Sequence, residues 1–355
     1  MPPIARLRPP LRILLFSILG LACHLPAGAL GQEIEEVRQL ALTHSGAYDF
    51  YRHEGRPAGD SVYPYVTRMA RAAGQSYLLD GTFFSSMGDP VAMLEQIREL
   101  TADDYRSQWT VDSETPLAIA NVPGGTFAER AYDSFMISPS NWRRYYLDEK
   151  TSRMIFSPEG HLTGLNAAAE PTAYREMVAG YVAVCNAVLA RSPAMTIHFY
   201  HFLAPAYHFP EPENPAAENT IRHAHVEAYA EYALGLYEQW FDRFMEDLRT
   251  HPELRPGARL ETVPVNRVVV NYLRLQPEIL VGRDWFDFAR DGAPHFGNIE
   301  GESDFFEALI APVLYTRLFK QQVPESYSLR PGNIFEPYFR DYVDYVASLL
   351  LEPRD

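Results

Sequence analysis

Leu40-Ala41-Leu42-Thr43-His44-Ser45-Gly46 ends an apolar run that starts at Val37 and stops on a polar, turn-prone segment. A run this short, bounded this way, reads as a buried strand feeding a loop. Four more runs of the same kind follow, at residues 76–79, 133–138, 195–202 and 259–263. Helical patterns lie between them. Residues 63–73 place apolar side chains at helical spacing, and residues 90–100 do so through Val91, Met93, Leu94, Ile97 and Leu100. Residues 174–189 are mostly apolar, and residues 218–248 carry Tyr229, Tyr232, Leu236, Trp240, Phe244 and Leu248 along one side. Strand-like and helix-like segments in alternation predict a parallel sheet covered on both faces. A last helix is expected over residues 334–351, with Phe335, Tyr338, Phe339, Tyr342, Val346 and Leu349 turned inward.

Open parallel sheets bind ligands beyond the carboxyl ends of their strands. Several polar residues are expected there. Ser45 follows the first strand, Gly81 the second and Asn141 the third. Asp291 and His295 come after the fifth strand and the helix behind it. Serine is a poor nucleophile until a base takes its proton. A histidine can be that base when a carboxylate fixes its tautomer and steadies its charged form. The oxyanion then needs preorganised donors, such as the N–H of Ser45, a glycine N–H and an asparagine amide. Ser45, His295 and Asp291 fit the first three roles, and Gly81 and Asn141 the last. His44, Trp142 and His201 are candidate substrate contacts. Gly88 is the alternative to Gly81.

The order of these islands resembles the SGNH (GDSL-like) hydrolase superfamily, over most of residues 37–320. The serine block is Thr43-His44-Ser45, the glycine block Gly81, the asparagine block Ser140-Asn141, and the closing block Asp291 with His295. His295-Phe296-Gly297-Asn298, leading into residues 305–319, also looks like the family's last loop and helix. The resemblance implies a flavodoxin-like three-layer α/β/α sandwich with a five-stranded parallel sheet. It also implies hydrolysis of small acyl esters or acylated sugars without a cofactor. Three positions depart from the family pattern. Thr43 and His44 stand where glycine and aspartate are usual, Trp142 follows the asparagine where an acid is usual, and Asp291 stands four residues before His295 instead of three. Asp287 and Asp284 are therefore alternative partners for His295.

Two readings from other classes compete. One is a non-catalytic ligand- or carbohydrate-binding protein on the same fold, since a fold does not dictate its chemistry. The other is a metal-dependent enzyme using His198, His201 and His208, although their spacing matches no standard zinc pattern.

The start of the chain reads as an export signal. Arg6, Arg8 and Arg12 precede an apolar core from Ile13 to Cys23, which is shorter than the roughly 20 residues of a membrane helix. Ala29-Leu30-Gly31 offers small residues for cleavage before Gln32. An uncleaved anchor or a lipid on Cys23 are the alternatives. The expected divisions are a signal peptide at 1–31, a hydrolase-like domain at 32–333 with insertions near 142–171 and 204–219, and a C-terminal packing helix at 334–355. Cleavage removes three arginines and no acid, which takes the net charge from -15 to -18. Such a surface disfavours nucleic acid and anionic membranes and leaves a neutral small-molecule or glycan ester open. Only Cys185 would remain, so no internal disulfide is expected. A periplasmic or secreted protein should therefore begin at or within a few residues of Gln32 when its N-terminus is sequenced. A chain starting at a lipid-modified Cys23 would overturn this assignment.

Overall fold

The computed structural model describes residues 36–43, 62–83, 109–111, 131–137, 171–201, 203–204, 233–276 and 305–351, together with single positions at 94, 95, 98, 99, 102, 227, 230, 231 and 279. For 40–43, 81–83, 109–111, 171–174 and 236 only the backbone is described. Residues from Ile34 to Asp355 cluster as one unit.

Six strands form one sheet. They are β1 (Glu36–Thr43), β2 (Ser76–Phe83), β3 (Trp109–Val111), β4 (Ser134–Ile137), β5 (Thr196–Tyr200) and β6 (Arg259–Val263), in the order β3-β2-β1-β4-β5-β6. Every neighbouring pair is parallel except β2–β3. The five parallel strands match the five expected runs. The three-residue antiparallel edge strand β3 was not expected, because three residues carry no readable period. Without β3, the order is that of flavodoxin-like folds.

The helices follow from connectivity. α1 (Tyr63–Ala72) links β1 to β2, α2 (Pro171–Arg191) links β4 to β5, and α3 (Glu238–Arg249) links β5 to β6. The chain steps from β1 toward one edge, then from β4 toward the other. Right-handed crossovers in opposite directions put their helices on opposite faces of the sheet. Accordingly α1 packs on β2 and on α5 (Ala311–Phe319), whereas α2 packs on α3. This gives the three-layer α/β/α sandwich. α6 (Phe339–Leu350) packs on α5 and on α4 (Val265–Leu275), the helix that follows the last parallel strand.

Local signals explain individual ends. Pro64 sits in the first turn of α1, where its missing N–H costs nothing. At the other end Gly74 adopts φ 73°, the Gly74 N–H donates to the Arg71 carbonyl and the Gln75 N–H to that of Ala70. That Schellman turn suits glycine and delivers the chain into β2. The expected helix at 218–248 is interrupted by a π-helical turn at Ala233–Tyr237 before α3 begins. The C-terminal helix starts later than expected. Pro337 lies in a 3₁₀ turn at Glu336–Tyr338, and α6 follows. Phe335, Phe339, Tyr342 and Val346 are buried as expected, but Leu349 is 40% exposed.

Strand alternation sorts β5 cleanly. Phe199 points at α2 and α3, where it meets Tyr181 at 6.1 Å and Phe244 at 5.8 Å between ring centroids, both edge-on. Full burial of such rings supplies roughly 1.5–3 kcal/mol each. Cys185 is buried in the same layer, and burial pushes its thiol up to about 12, so it packs as a small hydrophobe.

The other face carries a buried polar ladder. Tyr77 OH donates to Gln39 Oε1 (2.6 Å), and Gln39 Nε2 donates to Ser134 Oγ (2.8 Å). Ser134 Oγ lies 2.8 Å from His198 Nδ1. The Glu261 carboxylate in front of Nε2 favours the ring proton there, so Nδ1 accepts from the Ser134 hydroxyl. Nε2 faces Glu261 Oε2 at 3.7 Å, and that carboxylate is held by Lys320 (2.5 Å) and Arg317 (3.2 Å) at the end of α5. The His198–Glu261 distance is within ion-pair range, but the contact is not an ion pair. Burial, opposed by Glu261 and reinforced by Lys320, Arg317 and Arg259, lowers the imidazole to about 3, so it is neutral.

This has a consequence for acid stability. The folded value lies below the ordinary 6.5, so the unfolded chain takes up the proton first. The contribution of His198 is full above pH 6.5 and is lost as pH falls from there through 3. His198→Gln should flatten urea-unfolding stability against pH over this range. An unchanged slope would show that other groups set the acid limb.

Candidate functional site

The direction of the chain reverses at β1. Its neighbours β2 and β4 are reached by crossovers running opposite ways, which makes the carboxyl ends of β1 and β4 the topological switch point of the sheet. Leu42 pairs with Ile137 across those ends, and Thr43 pairs with Phe83 on the other side. Ser45 comes two residues after Thr43, and Asn141 four residues after Ile137. Ser45, His44, Asn141, Trp142, Asp291 and His295 all lie outside the described residues, as do Asp284, Asp287, Gly88 and His208. Gly81 lies inside β2, not after it. It pairs with Ala41 on one side and Trp109 on the other, because β2 runs four residues beyond the expected end, to Phe83.

The described polar residues converge at the carboxyl ends of β5 and β6. His201 directly follows β5. Its backbone N–H donates to the Val263 carbonyl (2.9 Å), and its own carbonyl accepts from the Asn266 N–H (3.0 Å). The imidazole is 1% exposed and is stacked on Phe241, with centroids 3.8 Å apart, and on Tyr237 at 4.7 Å. Nδ1 lies 3.2 Å from Glu238 Oε1, the first residue of α3. The approach is off the line of a good N–H···O bond, so the contact is mainly electrostatic. Nε2 is buried with no hydrogen-bond partner among the described residues.

Glu238 is enclosed more fully. Oε1 accepts from Asn266 Nδ2 (2.8 Å), and Oε2 accepts from Arg267 Nε (3.1 Å) and Nη2 (2.8 Å). Asn266 also accepts from the Ala204 N–H (2.9 Å) and donates to the Ala233 carbonyl (2.9 Å), closing the π-helical turn onto α4. Burial on its own would raise the Glu238 carboxyl. His201, Asn266 and Arg267 together outweigh it and hold the group at about 2. Glu238 is therefore an ionised carboxylate beside an imidazole. Such a carboxylate orients the ring and leaves the far nitrogen as an acceptor whenever the near one carries the proton.

His198 and His201 do not face one another, and His208, the third histidine of the metal reading, lies outside the described residues. The first two stand three apart, so the two-residue period of the strand turns them to opposite faces. His198 meets Ser134 and Glu261 on the α5 side, and His201 meets Glu238 and Phe241 on the α3 side. Among the described residues no three His, Cys, Asp or Glu side chains gather as metal ligands. Glu238 was not singled out from the sequence. Its one signal is an acid set between Tyr237 and the apolar pair Trp240 and Phe241, a position that periodicity assigns to packing.

No family model and no curated protein matches the chain. Among solved structures, it is similar to a DUF4886 family protein from Bacteroides uniformis ATCC 8492, at 11% identity and a TM-score of 0.49. The match covers 90% of this chain and 96% of that one. A likeness so distant carries no argument about fold or site, and the class of the protein rests on its own strand order: an open, flavodoxin-like parallel α/β sheet. Among the described residues, no helix is long and apolar enough to cross a membrane.

Replacing Glu238 by Gln should cost about 3 kcal/mol, the lower end for breaking one partner of a buried charge network. The loss should be fullest above pH 4.5. The wild-type contribution disappears as pH falls from 4.5 through 2, because the folded value is the depressed one. Urea unfolding at pH 7 and pH 3 measures both. Equal destabilisation at the two pH values would contradict the ionised state of Glu238.

Proposed function

We propose that the chain is an exported serine esterase of the SGNH type, acting on small acyl esters, acylated carbohydrates among them. The observation that supports this most directly is the switch point. The strands leading to Ser45 and Asn141 are hydrogen-bonded neighbours that end together, which is where a flavodoxin-like sheet takes its ligand. Asp291 and His295 precede, in sequence, the last described helix that packs on the sheet, and that helix, α5, packs against α1, the first described helix after Ser45.

In this reading Ser45 attacks the ester carbonyl. His295 takes the hydroxyl proton and then delivers it to the leaving alcohol. Asp291 holds the far ring nitrogen and stabilises the imidazolium. The Ser45 N–H and the Asn141 amide receive the oxyanion, with the glycine block supplying a further donor. The acyl-enzyme is then hydrolysed by the reverse proton traffic. The N-terminal pattern supports export, and with it a location in the periplasm or outside the cell.

Labelling with a fluorophosphonate probe, followed by location of the modified residue, tests the nucleophile. Ser45 should carry the label, and Ser45→Ala should abolish turnover of an aryl acetate with little change in the melting transition. A label elsewhere, or wild-type turnover in the variant, removes the reading. The acid is tested separately. In the triad that serves as the general template for this chemistry, the amide variant of the acid lowers kcat by roughly 10⁴. Asp291→Asn should be similarly crippled, and Asp287→Asn and Asp284→Asn milder. If Asp287→Asn or Asp284→Asn is the severe one, that residue is the partner of His295.

A further inference from the structure

Residues 320–335 join α5 to α6 through turns, without helix or strand. The segment buries Val323, Tyr327, Leu329 and Phe335. Apolar burial is not directional, so it leaves a segment of this kind more than one way to seat itself. Its polar anchors are directional. Ser326 Oγ donates to the Ala72 carbonyl at the end of α1 (2.9 Å). Arg340 of α6 donates to the carbonyls of Pro324 (3.2 Å), Glu325 (2.9 Å) and Tyr327.

The remaining anchor is Glu307, a carboxylate inside the protein. It lies in the π-helical turn Phe306–Ile310 that precedes α5 and is 0% exposed. Oε1 accepts from Arg68 Nη1 (2.8 Å) and from Tyr327 OH (2.9 Å). Oε2 accepts from Arg330 Nε (3.0 Å) and Asn333 Nδ2 (3.1 Å). The Arg330 backbone N–H lies 3.2 and 3.3 Å from the two oxygens. Both guanidiniums are braced on rings. The Arg68 carbon lies 5.4 Å from the centre of Tyr327, and that of Arg330 lies 5.4 Å from the centre of Tyr65. Burial, helped by the Glu307 carboxylate, pushes the Tyr327 phenol above its ordinary range, so it remains a donor.

Arg68 belongs to α1, and the other donors belong to the segment between α5 and α6. Apolar side chains would join these parts about as stably, because a buried charge must first be stripped of water. The carboxylate adds geometry. Its donors converge in one placement of the segment, and a slip of one residue would leave the charge buried against unmatched partners. We propose that Glu307 is a latch, which holds residues 320–335 in a single conformation against α1 and α5. Without it this segment opens as a unit while the sheet and its other layers stay closed. The latch does not depend on the serine hydrolase reading.

The test compares two variants of the full-length protein by hydrogen exchange, well below their melting transitions. Glu307→Gln leaves two guanidiniums facing a neutral group and should melt lower than wild type. The triple change Arg68→Met, Glu307→Met, Arg330→Met removes every charge of the network and should recover most of that loss. In both variants, peptides covering 321–335 should exchange roughly tenfold faster than in wild type, whereas peptides of α2 and β5 keep their rates. If the triple variant recovers slow exchange along with its melting temperature, apolar packing alone fixes the segment and the latch is refuted. Acceleration spread evenly over all peptides refutes it too, because Glu307 then supports only global stability. Tyr327→Phe removes one donor without touching a charge and serves if neither variant folds. It should speed exchange of the same peptides by a smaller factor, and an unchanged rate overturns the proposal.

Discussion

Parallel pairing on both sides of β1 is the constraint from which the rest of the architecture follows. A parallel neighbour cannot be reached by a tight turn, so each pairing demands a crossover. The crossovers are right-handed, and they leave β1 in opposite directions, toward β2 on one side and through β4 to β6 on the other. α1 is thereby separated from α2 and α3 by the thickness of the sheet. In sheets of this order the ligand crevice is found where the order turns back, which here is at the carboxyl ends of β1 and β4. The layering is thus a consequence of one topological fact.

Burying a sheet on both faces leaves little room for polar groups, and the few that remain inside are organised. On the α5 face the series Tyr77, Gln39, Ser134, His198 runs across four strands through three hydrogen bonds. It ends against Glu261, whose charge is met by Lys320 and Arg317 at the end of α5. Lys320 takes the left-handed conformation, with φ 55°, as it turns the chain out of that helix. A hydroxyl, an imidazole and a carboxylate in line suggest catalysis on paper. Here Ser134 and His198 are 2% and 4% exposed, and the imidazole is held neutral, which makes the series a core device.

Two other buried carboxylates share a setting. Glu238 directly follows one π-helical turn, and Glu307 lies within another. Both turns pack on α4, which is apolar and buried on most of its circumference. A π-helical turn fits one extra residue into a helix and shifts the side chains beyond it around the axis, which is why such turns recur where a particular group must be aimed. Glu238 reaches Asn266 and Arg267 of α4, while Glu307 reaches α1 and the segment before α6. Glu238 thereby ties α3 to α4, the helices that follow β5 and β6.

Strand runs were legible because they are apolar, short and bounded by turn residues. The boundaries of β6 agree with the sequence pattern at both ends, and the extents of α1 and α2 agree within three residues. The edge strand β3 was too short to carry a period, and the π-helical turns leave no mark in a helical pattern. Of the proposed site, the residue types and their order came from the sequence. The placement of Gly81 inside β2 did not, since the strand continues through Asp80 and Gly81 under the pairing of β1 and β3. Nor could linear spacing show that His198 and His201 face opposite layers, or that Glu238 and Glu307 are inside. By itself the sequence determined an alternating α/β chain with a parallel sheet, because periodicity and turn chemistry are local. Strand order, the faces of the histidines and the partners of the buried carboxylates were decided only by the tertiary structure. They depend on crossover direction and on contacts between residues far apart in the chain, such as Ala72 and Ser326, 254 positions apart, which no local pattern encodes.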